Sequence, residues 1–246
     1  MAARRGGQSP RSASRRRFHR AGDGRLIVRL DQAGLERAVA ELAERDADLG
    51  AIVARYGSPP LWDRPSGFGT LVHIILEQQV SLASAKAAYD RLRAATDPLT
   101  PAAFLRLSDA ELLAIGFSRQ KARYGRALAA SILDGALDLE GLERLDDHDV
   151  QAALEAVPGI GRWTSTIYLL MVLGRPDVWP TGDIALATAV GQAKGLPGRP
   201  DPETLMQIGE AWRPWRSVAA RLFWHDYLAR RGRVVGTAQG DSEMSL

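Results

Sequence analysis

The chain has 246 residues, 46% hydrophobic and 25% charged, with 32 Lys+Arg against 29 Asp+Glu for a net charge of +3. That is a globular composition, long enough to bury a core. The absence of cysteine excludes disulfides, thiol catalysis, thiolate-bound zinc and cysteine-ligated iron–sulfur clusters. With four scattered histidines and no HExxH, no metal site is expected. No apolar run approaches the roughly 20 residues that cross a membrane.

Residues 1–22 carry seven arginines (4, 5, 11, 15, 16, 17 and 20) and no acid, so subtracting the arm's +7 from +3 leaves −4 for the remainder. With almost no large apolar side chain, this arm cannot offset its own ordering entropy and reads as disordered. No apolar segment of the secretory type follows it, so a soluble, cytoplasmic protein is expected, nucleoid-associated if bacterial. A globular body is expected over 23–235, with a second disordered tail over 236–246.

After a short extended piece at Leu26–Leu30, nearly every segment reads as helix. Leu35, Val39 and Leu42 form one stripe; Leu49, Ile52, Val53 and Tyr56 form the next, stopped by Gly57-Ser-Pro-Pro60. Phe68, Leu71, Val72 and Ile75 mark a third helix, whose stripe Gln78 and Gln79 continue by their spacing. Ser81 caps a fourth helix running to about Ala95. Thr100-Pro101 is a cap followed by a first-turn proline, and Ser108 to Glu111 is a capping box. Ser118 caps a helix through Leu133. Others are predicted near Asp147–Ala156, over Arg162–Leu173, and from Asp183, Asp201-Pro202 and Pro214. The fold class is all-α.

Val157-Pro-Gly-Ile-Gly161 lies between two helical patterns. Its glycines permit a tight turn with positive φ and leave the backbone bare. The N–H groups from Gly159 through Ile160, Gly161 and Arg162 to Trp163, with Thr164 following, then open a helix N-terminus suited to a phosphate. The plainer reading is a simple glycine-containing connection. The segment Trp163–Leu173 is apolar almost all round, which predicts a buried helix and a rigid turn. Twenty-two residues past Gly161 comes Asp183, in Trp179-Pro-Thr-Gly-Asp183. On local pattern alone it is a helix cap.

Four ordered stretches carry a family likeness: Ile75-Leu-Glu-Gln-Gln-Val-Ser81, Val157-Pro-Gly-Ile-Gly-Arg-Trp-Thr164, Trp179-Pro-Thr-Gly-Asp183 and Trp212-Arg-Pro-Trp-Arg-Ser217. Together they resemble the helix-hairpin-helix DNA glycosylases, most closely the 3-methyladenine glycosylase II (AlkA-like) branch. The resemblance implies a two-lobed helical body with the active cleft between lobes. It implies excision of alkylated purines from damaged double-stranded DNA by base flipping, carried out by a monomer with no cofactor. Asp183 falls on the family's catalytic aspartate. Relatives that also cut the strand carry a lysine two residues past the hairpin's last glycine; here Trp163 stands there, which implies a monofunctional enzyme.

By the same resemblance, Gln78 and Gln79 sit where a side chain enters the duplex, and Trp163 and Trp224 where aromatic faces stack on the base. A cationic alkylated purine would be drawn to such a face. On a helix from Pro214, Trp224 points about 180° from Trp215, although both faces of that helix can equally be core. Trp212, Trp215 and Arg216 read as packing. Ser118, Arg119 and Lys121 open a helix that could hold phosphate or be merely solvated. The competing functional reading is a non-catalytic helix-hairpin-helix DNA-binding module.

Overall fold

A computed structural model describes residues 19–20 and 26–232. His19–Arg20 (β1) pairs antiparallel with Leu26–Ile27 (β2), and the other regular elements among the described residues are helical. Most of the expected 1–22 arm, and all of the 236–246 tail, lie outside the described residues. Within the arm, the described residues are the His19–Arg20 strand. Of the extended piece, only Leu26–Ile27 is a strand.

The start signals act through short polar side chains that satisfy first-turn N–H groups. Asp31 caps α1 (Gln32–Arg45) and Asp46 caps α2 (Ala47–Tyr56), which stops at Gly57 with φ 75°. α3 (Phe68–Glu77) is buried over most of its length. Ser81, Thr100, Ser108 and Ser118 cap α4 (Leu82–Ala95), α5 (Pro101–Leu105), α6 (Asp109–Ile115) and α7 (Arg119–Leu133). Ser108 and Glu111 form the expected capping box. α8 (Asp147–Glu155), α9 (Arg162–Ile167), α10 (Ile184–Ala193), α11 (Pro202–Gly209) and α12 (Arg216–Ala229) complete the order.

α1 and α2 pack against α12, which packs in turn on α10, so the two ends of the described chain build one lobe; α3–α7 build the other. α9 packs against α8 and α3 and runs into the seam. Beyond Ile167 it continues as a π-helical turn, Tyr168–Val172, wholly buried. Such turns free carbonyls from the usual ladder, and here tertiary donors take them. Leu170 O accepts from Arg221 Nη2 (2.9 Å), and Met171 O from the Arg64 N–H (2.8 Å). Arg221 also donates to Leu61 O (2.8 Å) and Ser217 O (3.0 Å). Burial pushes its pKa down to about 9, which still leaves it cationic at neutral pH.

Two expected boundaries differ. α12 begins at Arg216, with Trp215 as its cap, two residues later than Pro214. α3 ends at Glu77, so Gln78 and Gln79 do not continue its stripe: Gln78 is extended at φ −58°, ψ 121°, and Gln79 has φ 58°. Helical spacing carried past a helix end has no meaning, and no glycine or proline marked this end.

Candidate active site

The connector from Gly174 to Gly182 delivers Asp183 and is fixed at successive residues. The Asp177 carboxylate pairs with Arg216 Nε (2.8 Å) and Arg213 Nη1 (2.8 Å). The Val178 N–H donates to Ser217 Oγ (3.0 Å), and Trp179 Nε1 donates to Leu205 O (2.9 Å). The Trp179 ring lies against Gly209, where a Cβ would come within 2.6 Å of it, and 5.2 Å from the Trp212 ring. Trp212, Trp215 and Arg216 are packing residues, as expected. Trp212 is buried, and Trp215 donates to Glu41 Oε2 (2.7 Å).

So held, Asp183 caps α10, its Oδ1 accepting from the Leu186 N–H at 2.7 Å. Two indoles complete its shell. Trp224 Nε1 donates to Oδ1 (3.1 Å), and Trp163 Nε1 donates to Oδ2 (2.9 Å). Trp163 belongs to the hairpin helix, whereas Asp183 and Trp224 come from the opposite lobe. Asp183 is only 7% exposed, yet Gly182 and Ile184 beside it are open to solvent, so the residue lies just below the surface.

The two tryptophans differ in access. Trp163 is half-buried, whereas Trp224 is 0% exposed and part of the hydrophobic core. In this structure Trp224 presents no free face, and its indole N–H is directed at Asp183. An amphipathic phase separates the sides of a helix but cannot tell a cleft-lining side from a buried one.

At the hairpin, Gly159 alone of its two glycines has positive φ (94°); Gly161 is extended at φ −104°, ψ −177°. The Ile160 N–H closes the turn onto Val157 O (3.0 Å), and the Ile160 side chain is buried. Its N–H is therefore not among those open to a ligand. No side chain caps α9, which leaves the N–H groups of its first turn facing outward beside the exposed Arg162. Thr164 is 1% exposed, and its Oγ1 accepts from Gln78, so its side chain does not reach the surface. Tyr124, which nothing in the sequence singled out, packs its ring under Gly159: a Cβ there would lie 2.1 Å from it.

The end of α3 abuts this hairpin. Gln78 Nε2 donates to Gly159 O (2.9 Å) and Thr164 Oγ1 (3.0 Å), making it a structural brace, while Gln79 and Val80 project into solvent. Lys121 Nζ donates to Leu76 O at 2.6 Å, capping the same helix end, and burial holds its pKa below the ordinary lysine value. Ser118 is the exposed cap of α7 and accepts from the Lys121 N–H (3.2 Å). On α8 and its cap, Asp146, His148 and Asp149 group ligand-type atoms within 4.8 Å. Asp146 is already committed to capping α8.

The model of the HhH-GPD superfamily of base excision DNA repair proteins matches residues 72–214, more than half the chain. The chain belongs to that superfamily. The matched range holds the hairpin, Gln78, Trp163 and Asp183, whereas Trp224 lies beyond it. AlkA of Mycobacterium tuberculosis is 32% identical over 208 residues, which is 79% of this chain and 40% of that protein. YfjP of Bacillus subtilis is 28% identical over 184 residues, 72% of this chain and 64% of its own length. The chain thus spans less than two thirds of either curated relative. Among solved structures, the Schizosaccharomyces pombe 3-methyladenine DNA glycosylase Mag1 in complex with abasic DNA is 25% identical, with a TM-score of 0.71. The match covers 76% of this chain and 95% of that one. The two-lobed HhH-GPD architecture expected from the sequence is therefore the one found.

Proposed function

We propose that this protein is a monofunctional DNA glycosylase that flips alkylated purines, of the 3-methyladenine and 7-methylguanine type, out of duplex DNA and excises them in base excision repair. The observation that carries this reading is the Asp183 carboxylate, set at the start of α10 within hydrogen-bond reach of the hairpin helix. Breaking an N-glycosidic bond builds positive charge on the deoxyribose. A fixed carboxylate stabilises that oxocarbenium-like state and orients the attacking water. An alkylated purine is itself cationic, so the half-buried face of Trp163 suits it.

The outward N–H groups at the start of α9, with Arg162, are the proposed phosphate grip, and they read backbone rather than sequence. Ser118 is a second contact of the same kind beside it; Lys121 acts there chiefly by holding the end of α3. Gln79, exposed and at positive φ, is the proposed side chain that enters the duplex where the base leaves. Trp163 supplies no amine to attack the sugar, so no Schiff base forms and the strand stays intact. The protein acts as a monomer in the cytoplasm, without metal or cofactor.

The test is base release from methylated duplex DNA. Wild type should liberate 3-methyladenine or 7-methylguanine and leave the strand uncut until alkali is added. Asp183→Asn should bind the duplex and release nothing. Full activity in that variant overturns the assignment, and an inactive wild type that still binds DNA favours a non-catalytic binding module.

A further inference from the structure

We infer that Trp163 and Trp224 are positioning residues that act on Asp183 through their indole N–H groups, and that Oδ2 is the oxygen presented to the sugar. This rests on Asp183 being the catalytic carboxylate. The Oδ1 atom already accepts two hydrogen bonds, from the Leu186 N–H (2.7 Å) and from Trp224 Nε1 (3.1 Å). The Oδ2 atom accepts one, from Trp163 Nε1 at 2.9 Å. A carboxylate oxygen has two in-plane lone-pair directions, so Oδ1 is saturated and Oδ2 keeps one free. The free direction belongs to the oxygen nearer the hairpin helix.

At Trp224 the burial pattern supports donation over stacking. Trp224 has no exposed surface, so its one polar contribution to the site is the N–H directed at Asp183. Three donors from three elements, α9, α10 and α12, fix both the rotation and the tilt of the carboxylate plane. Two of them are rigid rings whose own packing sets their direction. A group that must stabilise charge on a passing sugar gains most from such preorganisation, because nothing has to reorient as the charge develops. The Trp163 bond also crosses between lobes, tying the hairpin that grips backbone to the carboxylate that acts on the sugar.

Replacing the indole N–H by sulphur separates the two roles. β-(3-Benzothienyl)alanine at position 163 or 224 keeps the aromatic face and removes the donor. In the full-length protein, single-turnover release of 7-methylguanine from duplex DNA should fall about 10- to 100-fold at each position, the size of one missing charge-assisted hydrogen bond. Affinity for a duplex holding an abasic site should stay within about threefold of wild type. Trp163→Phe, at a half-buried site that tolerates truncation, should lose rate comparably. Wild-type rates in the sulphur variants, or weakened affinity with an unchanged rate, would overturn the inference. Asp183→Asn run alongside keeps the outcomes apart. If that variant is inactive and the sulphur variants are normal, only this inference fails; if it is active, the active-site reading beneath it fails.

Discussion

Gln78 donates from a single amide nitrogen to Gly159 O (2.9 Å) and to Thr164 Oγ1 (3.0 Å), joining the end of α3 to both sides of the hairpin turn. Because the turn's outward N–H groups serve only if the turn is rigid, this brace bears on DNA binding without touching DNA. Gln78→Leu, similar in volume and lacking donors, should cost about 1–2 kcal/mol in urea unfolding. It should also weaken binding to undamaged duplex in an anisotropy titration. Unchanged affinity would mean that the turn holds its shape without the brace.

The two hairpin glycines should separate cleanly. Gly159 has φ 94° and the Tyr124 ring 2.1 Å from where a Cβ would sit, so Gly159→Ala meets both backbone strain and a clash. A loss of about 2–4 kcal/mol is expected, and adding Tyr124→Ala should recover only the steric share. Gly161 is extended and has nothing within 4 Å of a Cβ. Gly161→Ala should stay within about 1 kcal/mol of wild type yet bind DNA more weakly, because its methyl would stand where a phosphate approaches.

The far end of α10 is held by charge. Lys194 Nζ contacts Asp46 Oδ2 (2.8 Å) and Asp48 Oδ2 (2.8 Å), and Trp212 Nε1 donates to Asp46 Oδ2 (2.8 Å). Burial alone would raise the Asp46 pKa. Hydrogen bonds from Lys194, Trp212 and the Leu49 amide, with the charge of Lys194, outweigh it and hold the carboxyl below its ordinary 3.8. The folded value lies below the unfolded one, so the stabilisation is complete above the unfolded pKa and is lost as pH falls through the folded one. Asp46→Asn keeps a competent cap while removing the charge, and should cost about 1–3 kcal/mol at pH 7. In chemical denaturation across pH, that gap should be flat from neutrality to about pH 5 and shrink below about pH 4.

The arginines of residues 1–22 should add affinity without adding chemistry. Deleting them should weaken duplex binding and flatten its salt dependence, by about 0.9 in the slope of log K against log salt for each phosphate that is no longer neutralised. Release at saturating DNA should be unchanged. A truncated protein that turns over slowly at saturation would make the arm part of the catalytic unit.

Local chemistry made most of the fold legible. Ser81, Thr100, Ser108, Ser118, Asp183 and Asp201 cap helices where their short polar side chains precede apolar periodicity. A cap satisfies N–H groups two or three residues away, so sequence spacing encodes it in full. The hairpin and the cap at Asp183 were readable for the same reason. The absence of cysteine and the tryptophan at 163, where strand-cutting relatives have lysine, also narrow the chemistry, because each removes a nucleophile or ligand whatever the fold.

What only the tertiary structure decided is how distant residues meet. Gln78 and Gly159, Tyr124 and Gly159, Lys121 and Leu76, and Trp224 and Asp183 are each separated by tens of residues, and no periodicity links them. Periodicity reports which side of a helix is apolar, not whether that side meets core or cleft. Trp224 therefore reads as a stacking platform in the sequence, and only its burial and its N–H bond make it a donor. The sequence by itself determined a helical body with a hairpin and one well-placed aspartate. Packing between lobes decided the orientation of that carboxylate, because orientation depends on donors brought together from three separate helices.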